Sequence, residues 1–133
     1  MANRVIHFEI HAQDTAKVAE WYKNVFGWEV KKWDNPAMDY WMVMTAPEGA
    51  KEQGINGGIG KRVGDAPKES DSINAFECII DVPNIEEYME KITAAGGKIT
   101  SAKMPIPGMA WWAHCKDIEG NAFGIFQEDK NAK

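Results

Sequence analysis

Val5-Ile6-His7-Phe8-Glu9-Ile10 is the stretch whose reading decides the fold of this chain. It returns 70 positions later, without a gap, as Ala75-Phe76-Glu77-Cys78-Ile79-Ile80. The match runs over 7–31 and 77–101: Asp14 falls on Asn84, Val18 on Tyr88 and Gly27 on Gly97. Each copy reads as strand, capped helix, glycine stop, strand. An internal repeat sets architecture before any single element does. It also puts two residues able to carry chemistry, His7 and Glu77, at one and the same position of the two copies.

Working outward, the first strand alternates. Val5, Phe8, Ile10 and Ala12 are broadly apolar, and His7, Glu9 and His11 form a polar set at every second residue, hence on one face. A strand face with two histidines and a glutamate meets water or lines a wet cavity. Asp14 is an N-cap, its carboxylate accepting from the free amides of a first helical turn. Val18, Trp21, Tyr22, Val25 and Phe26 then keep helical spacing, and Gly27 ends the helix. Strands are expected at 28–31 and 40–44, a turn at Pro47-Glu48-Gly49, and an irregular fourth strand within the glycine-rich 54–60. Residues 61–74 hold breakers and no aromatic group and read as a linker. In the second copy the strand is expected over 75–82. Asn84 with Glu87 starts a helix carrying Ile85, Tyr88, Met89 and Ile92, and Gly96-Gly97 stops it. Strands follow at 98–102, 110–116 and 122–127, with Asp117-Ile118-Glu119-Gly120-Asn121 as a tight polar turn. Met104 to Met109, with Pro105, Pro107 and Gly108, reads as a loop closing over a cleft.

The expected fold class is α+β: two βαβββ repeats forming a curved mixed sheet around a cleft. The 133 residues make one domain, with repeat one at about 4–60, the linker at about 61–74 and repeat two at about 75–128. A formal net charge of −5 with only short basic pairs argues against nucleic acid as a partner. No apolar run reaches membrane-spanning length, and Met1-Ala2-Asn3-Arg4 leads straight into a strand, with no signal-peptide core. Cys78 and Cys115 read as buried free thiols of a cytoplasmic protein.

That arrangement resembles the vicinal oxygen chelate superfamily of glyoxalase I, extradiol dioxygenases, fosfomycin resistance proteins and bleomycin-binding proteins. The resemblance rests on His7-Phe8-Glu9-Ile10-His11 running into Asp14, on Trp21-Tyr22 through Val25-Phe26-Gly27-Trp28, and on Ala95-Gly96-Gly97-Lys98, Pro107-Gly108 and Asp117-Ile118-Glu119-Gly120-Asn121-Ala122-Phe123-Gly124. The usual proline of the last turn is Ile118 here. In metal-using members the first and last strand of each half supply four ligands to one divalent ion. Carried onto this sequence, those positions are His7, Gly58, Glu77 and Gly124. Glycine has no side chain to ligate with, and two ligands are fewer than a catalytic metal keeps. The resemblance therefore implies a glyoxalase-like small-molecule-binding protein with a degraded metal site and no cofactor, as in the metal-free bleomycin-binding branch. The competing implication is a lyase or isomerase that uses a divalent metal held by His7 and Glu77.

His7 and Glu77 are the candidate catalytic pair. His7, Glu9, His11, Trp41, Glu77, Trp112, His114 and Phe126 are the candidate ligand-binding residues. Trp111 and Trp112 must face opposite sides of their strand; Trp112 is taken with His114 because the polar set belongs to the wet face. The same rule separates His114 from Cys115 and argues against a thiolate–imidazole pair. The expected partners are a small, partly aromatic or apolar molecule and a second copy of the chain.

Overall fold

In a computed structural model, residues 5–52 and 54–133 are described. The chain divides into two compact units, Met1–Ala66 and Pro67–Lys133. The opening Met1–Arg4, read above as leading into a strand, lies outside the described residues. The fold class is α+β with mixed sheets, and among the described residues each unit has one helix.

In the first unit, β1 (Phe8–Ala12) leads into α1 (Thr15–Phe26), followed by β2 (Glu29–Lys32), β3 (Tyr40–Met44) and β4 (Gly57–Lys61). The strands lie in the order β1-β4-β3-β2, with β1 parallel to β4 and the remaining pairs antiparallel. The helix starts where the cap was read: the Asp14 carboxylate accepts from the Lys17 N–H at 3.1 Å. It stops at Gly27, whose φ of 71° is left-handed and costs glycine little. Its buried side is Val18, Ala19, Trp21, Tyr22 and Val25. Ala12, Val30, Val43 and Ile59 are buried on the sheet face it covers. Trp28 stacks on Tyr22 at 5.3 Å and extends this core.

In the second unit, β5 (Cys78–Asp81) is followed by α2 (Ile85–Ala94), β6 (Lys98–Ile99), β7 (Met104–Ile106), β8 (Ala110–Lys116) and β9 (Ala122–Glu128). The order is β5-β9-β8-β6, with β7 also pairing with β8. Asn84 caps α2 by accepting from the Glu87 N–H at 2.9 Å, one repeat after Asp14. The polar turn is closed by the buried Asp117 carboxylate, which accepts from the Glu119 and Asn121 N–H groups and from the Asn121 amide.

The structure corrects several expectations. Met104 to Ile106 is a strand, not a loop. The expected strand at 98–102 breaks after Ile99, because the Thr100 and Ser101 N–H groups both turn to the His114 carbonyl. The chain then rejoins β8 at Met104, with Pro105 on an outer strand where a missing N–H is tolerated. The turn after it is held by Gly108 N–H on the Ala132 carbonyl at 2.9 Å. The second unit therefore has one strand more than a simple βαβββ. The first strand of each copy starts later than expected, at Phe8 and Cys78, leaving Val5, Ile6 and Phe76 exposed. Both cysteines are free, but Cys78 is exposed because β5 is a sheet edge; Cys115 is buried, and burial pushes its thiol up to about 12. Among the described residues no helix is long and apolar enough to cross a membrane.

Candidate ligand-binding faces

Each unit has a sheet face turned away from its helix, and the strand registers decide which side chains stand on it. In the first unit Glu9 lies beside Gly58 and then Met42, and His11 beside Gly60 and then Tyr40. Residues in register share a face, and His7 joins Glu9 by strand parity. The polar set of the first strand is therefore on the open face, opposite the buried Ile59. The glycines of β4 let a side chain from β3 cross over them. Tyr40 lies across Gly60 and Gly58, its hydroxyl donating to Glu9 Oε2 at 2.8 Å and accepting from His7 Nε2–H at 2.9 Å. Burial, with the Glu9 carboxylate beside it, pushes the Tyr40 phenol up to about 12. Tyr40 is thus a lasting donor near neutral pH rather than a base.

The second unit repeats the device with different residues. Ile79 lies beside Gly124 and then His114; Asp81 lies beside Phe126 and then Trp112. Glu77, two residues before Ile79, reaches across the β9 strand to His114. The distance between Glu77 Oε1 and His114 Nδ1 is 2.9 Å. That reach spans two strand spacings, roughly 10 Å of backbone separation, and small residues on the middle strand make it possible. The Trp112 and His114 rings meet edge to face at 4.5 Å. Trp111 faces the other way, its indole N–H on Asp129 and the Lys103 ammonium over its ring.

The structure therefore gathers the sequence candidates into two sets. His7, Glu9 and His11 share the open face of the first unit. Glu77, Trp112, His114 and Phe126 share that of the second. Trp41 joins neither: it lies in register with Ile59 and Ile10 on the helix-covered face, donating its indole N–H to Thr15 Oγ1 at 3.1 Å. His7 and Glu77 stand in separate units, each bonded to a partner within its own. Sequence reasoning missed Tyr40 and Ile79, which carry no motif; only the two-strand register reveals them. The hollow of 320 Å³ between Met44 and Asn56 lies on the loop between β3 and β4 and holds no part of either set.

The register bears on a metal. Gly58 and Gly124 occupy equivalent rungs, beside Glu9 and Ile79, which are one repeat apart. A Cβ at Gly58 would sit 1.7 Å from the Tyr40 hydroxyl oxygen, and one at Gly124 would sit 2.6 Å from Ile79 Cδ1. The two positions are not merely without side chains; other side chains already fill their space. Among the described residues no group of three or more His, Cys, Asp or Glu side chains is gathered to hold an ion. The residues present do not fit a four-ligand divalent site.

Residues 4–46 match the family model described as bleomycin resistance protein-like N-terminal. Solved structures extend the likeness over the rest of the chain. A glyoxalase/bleomycin resistance protein/dioxygenase family enzyme from Burkholderia phytofirmans PsJN superposes with a TM-score of 0.68 at 16% identity, covering 91% of this chain and 95% of that one. The chain has the vicinal oxygen chelate fold. Two further structures with this fold differ in kind. The fosfomycin resistance protein FosX from Listeria monocytogenes, in a complex with Mn(II), gives a TM-score of 0.71 at 15% identity over 97% of this chain and 95% of that one. A glyoxalase I from Zea mays gives 0.70 at 21% identity over 92% of this chain and 44% of that one. No curated protein matches the sequence. At these identities the likeness establishes the fold, and the resemblance read from the repeat holds at that level.

Proposed function

We propose that this chain binds a small organic molecule without a metal, on the open faces of its two sheets. The observation that carries this reading is Tyr40 lying across Gly58, bonded to both His7 and Glu9. A family metal would need a ligand where the phenol stands. What the faces offer instead is chemistry for an organic ligand. Tyr40, Trp112 and Phe126 supply flat or apolar surface, while His7, Glu9, Glu77 and His114 supply a few placed polar groups, the usual mixture of a small-molecule site. His11 belongs to the same polar set. Met42 and Ile79 remain largely exposed on these faces, as groups awaiting an apolar partner do.

In this reading His7 and Glu77 orient a ligand rather than activate an ion, and the protein works as a homodimer in the cytoplasm. Intrinsic fluorescence tests it, because Trp112 stands on the open face of the second unit beside His114. Titration with a panel of aromatic and apolar compounds is expected to give a saturable shift that Trp112→Ala weakens and excess chelator leaves unchanged. A shift that appears only with added divalent ion, and disappears in His7→Ala, would favour the metal-dependent lyase or isomerase instead.

A further inference from the structure

We infer that the open face of the second unit is built for a flat aromatic ligand carrying a hydrogen-bond donor, an aryl hydroxyl or aryl N–H, lying against Trp112 with its donor on His114 Nε2. This rests on the small-molecule reading above and names the ligand class for that face.

The tautomer of His114 supplies the argument. Glu77 Oε1 lies 2.9 Å from Nδ1. An ionised carboxylate can only accept, so Nδ1 carries the ring proton and donates it. In the neutral ring Nε2 is then a bare acceptor, made a better one by the carboxylate behind the ring. Among the described residues no partner is placed on Nε2. The His114 side chain retains 28% of its exposure and Glu77 only 17%, so the dyad presents its imidazole end outward and its carboxylate inward.

The surroundings fix the rest of the ligand. Trp112 stands edge to face with the imidazole, so a ring lying on the indole has its substituent beside the histidine. Phe126 shares the rung of Trp112, and Gly124 shares the rung of His114. The face is therefore aromatic at one end and aliphatic at the other, where Ile79 leans over the glycine. Glu77, Asp81 and Glu128 bring negative charge to this face. Lys98 and Lys116 also stand on it by register; Lys98 pairs with the Glu69 carboxylate and Lys116 donates to the Glu69 main-chain carbonyl, so carboxylates still outnumber ammonium groups there. A neutral donor suits such a face better than an aromatic acid, whose carboxylate would meet like charge and an acceptor.

The test compares two probes of nearly equal shape, one of which lacks the donor. Isothermal titration of the full chain with 2-naphthol and with 2-methoxynaphthalene, in chelator at mildly alkaline pH, is expected to give about tenfold tighter binding of the naphthol, the size of one hydrogen bond. His114→Phe keeps a flat ring and removes the acceptor. It is expected to erase the difference while still binding the ether. Nitrogen NMR of the wild-type chain gives a second readout independent of any variant's folding: the His114 ring proton is expected on Nδ1. Equal affinities of the two probes, or a His114 proton on Nε2, would overturn the inference and leave the small-molecule reading standing. Binding of neither probe would overturn the inference, and a compound panel that also gives no saturable fluorescence shift would overturn the small-molecule reading.

Discussion

Gly58 and Gly124 are where the account is most exposed at the scale of single residues. Added methyl groups there meet different neighbours, so their costs should differ. At Gly57 a Cβ would lie 2.4 Å from the Phe8 carbonyl oxygen, a backbone atom that cannot step aside. At Gly58 it displaces the Tyr40 ring and with it two hydrogen bonds. At Gly124 the one tight contact is with the far end of Ile79, which can change rotamer, and the Ala113 carbonyl oxygen lies at an ordinary 3.5 Å. The expected order of destabilisation in urea melts is Gly57→Ala, then Gly58→Ala at about 1–3 kcal/mol, then Gly124→Ala below about 1 kcal/mol. A Gly124→Ala change that costs as much as Gly58→Ala would contradict the described packing. Tyr40 makes a second prediction. Its phenol is raised from about 10 to about 12, so the folded state holds the protonated form more tightly. That stability is present below about pH 10 and is lost as pH rises through about 12. Tyr40→Phe should remove this alkaline loss and the late component of the phenolate absorbance. Trp112→Ala should weaken binding of a flat apolar ligand by about 1–3 kcal/mol, measured by titration. The polar face of His7, Glu9 and His11 was legible in the sequence because alternation is a local signal. The place of Tyr40 on that face and the pairing of His114 with Glu77 were not, because which residue lies two strands away depends on register between segments 30 or more positions apart.

The elements were most legible where side chains announce their own ends. Asp14 and Asn84 stand one repeat apart, and each caps its helix as read, since a capping carboxyl or amide is satisfied within three residues. Replacing either by alanine should cost about 1 kcal/mol, seen as a lowered thermal midpoint with the native spectrum retained. A loss well beyond 2 kcal/mol would assign them a larger role than capping. The turn of Asp117 to Asn121 was equally plain, because its polar groups close on themselves. Legibility failed at Met104 to Ile106. Two prolines and a glycine within six residues suggest a loop, yet Pro105 lies on an outer strand and needs no donor. Strand ends failed for a related reason. Val5, Ile6 and Phe76 extend the apolar pattern, but pairing stops at Phe8 and Cys78, and pattern alone does not reveal where a partner strand ends. The exposure of Cys78 follows from its place on an edge strand. A thiol reagent should therefore label Cys78 in the native protein and Cys115 only on unfolding, resolved by peptide mass mapping.

For the molecule as a whole, the repeat carried the fold and the fold left the function open. Structures of this fold include a fosfomycin resistance protein with Mn(II) and a glyoxalase I, so architecture alone does not choose between metal chemistry and binding. The choice rests on what stands at four positions. His7 and Glu77 could be read as ligands from the sequence, and Gly58 and Gly124 as missing ones. The occupation of the missing places by Tyr40 and Ile79 could be read only from the structure. The most direct measurement of the central claim is native mass spectrometry of the full chain after incubation with excess Zn²⁺, Mn²⁺ and Ni²⁺, followed by desalting. The chain is expected to keep none of these ions, before and after addition of an aromatic ligand that it does retain. One ion per chain surviving the desalting, and lost in His7→Ala, would contradict it.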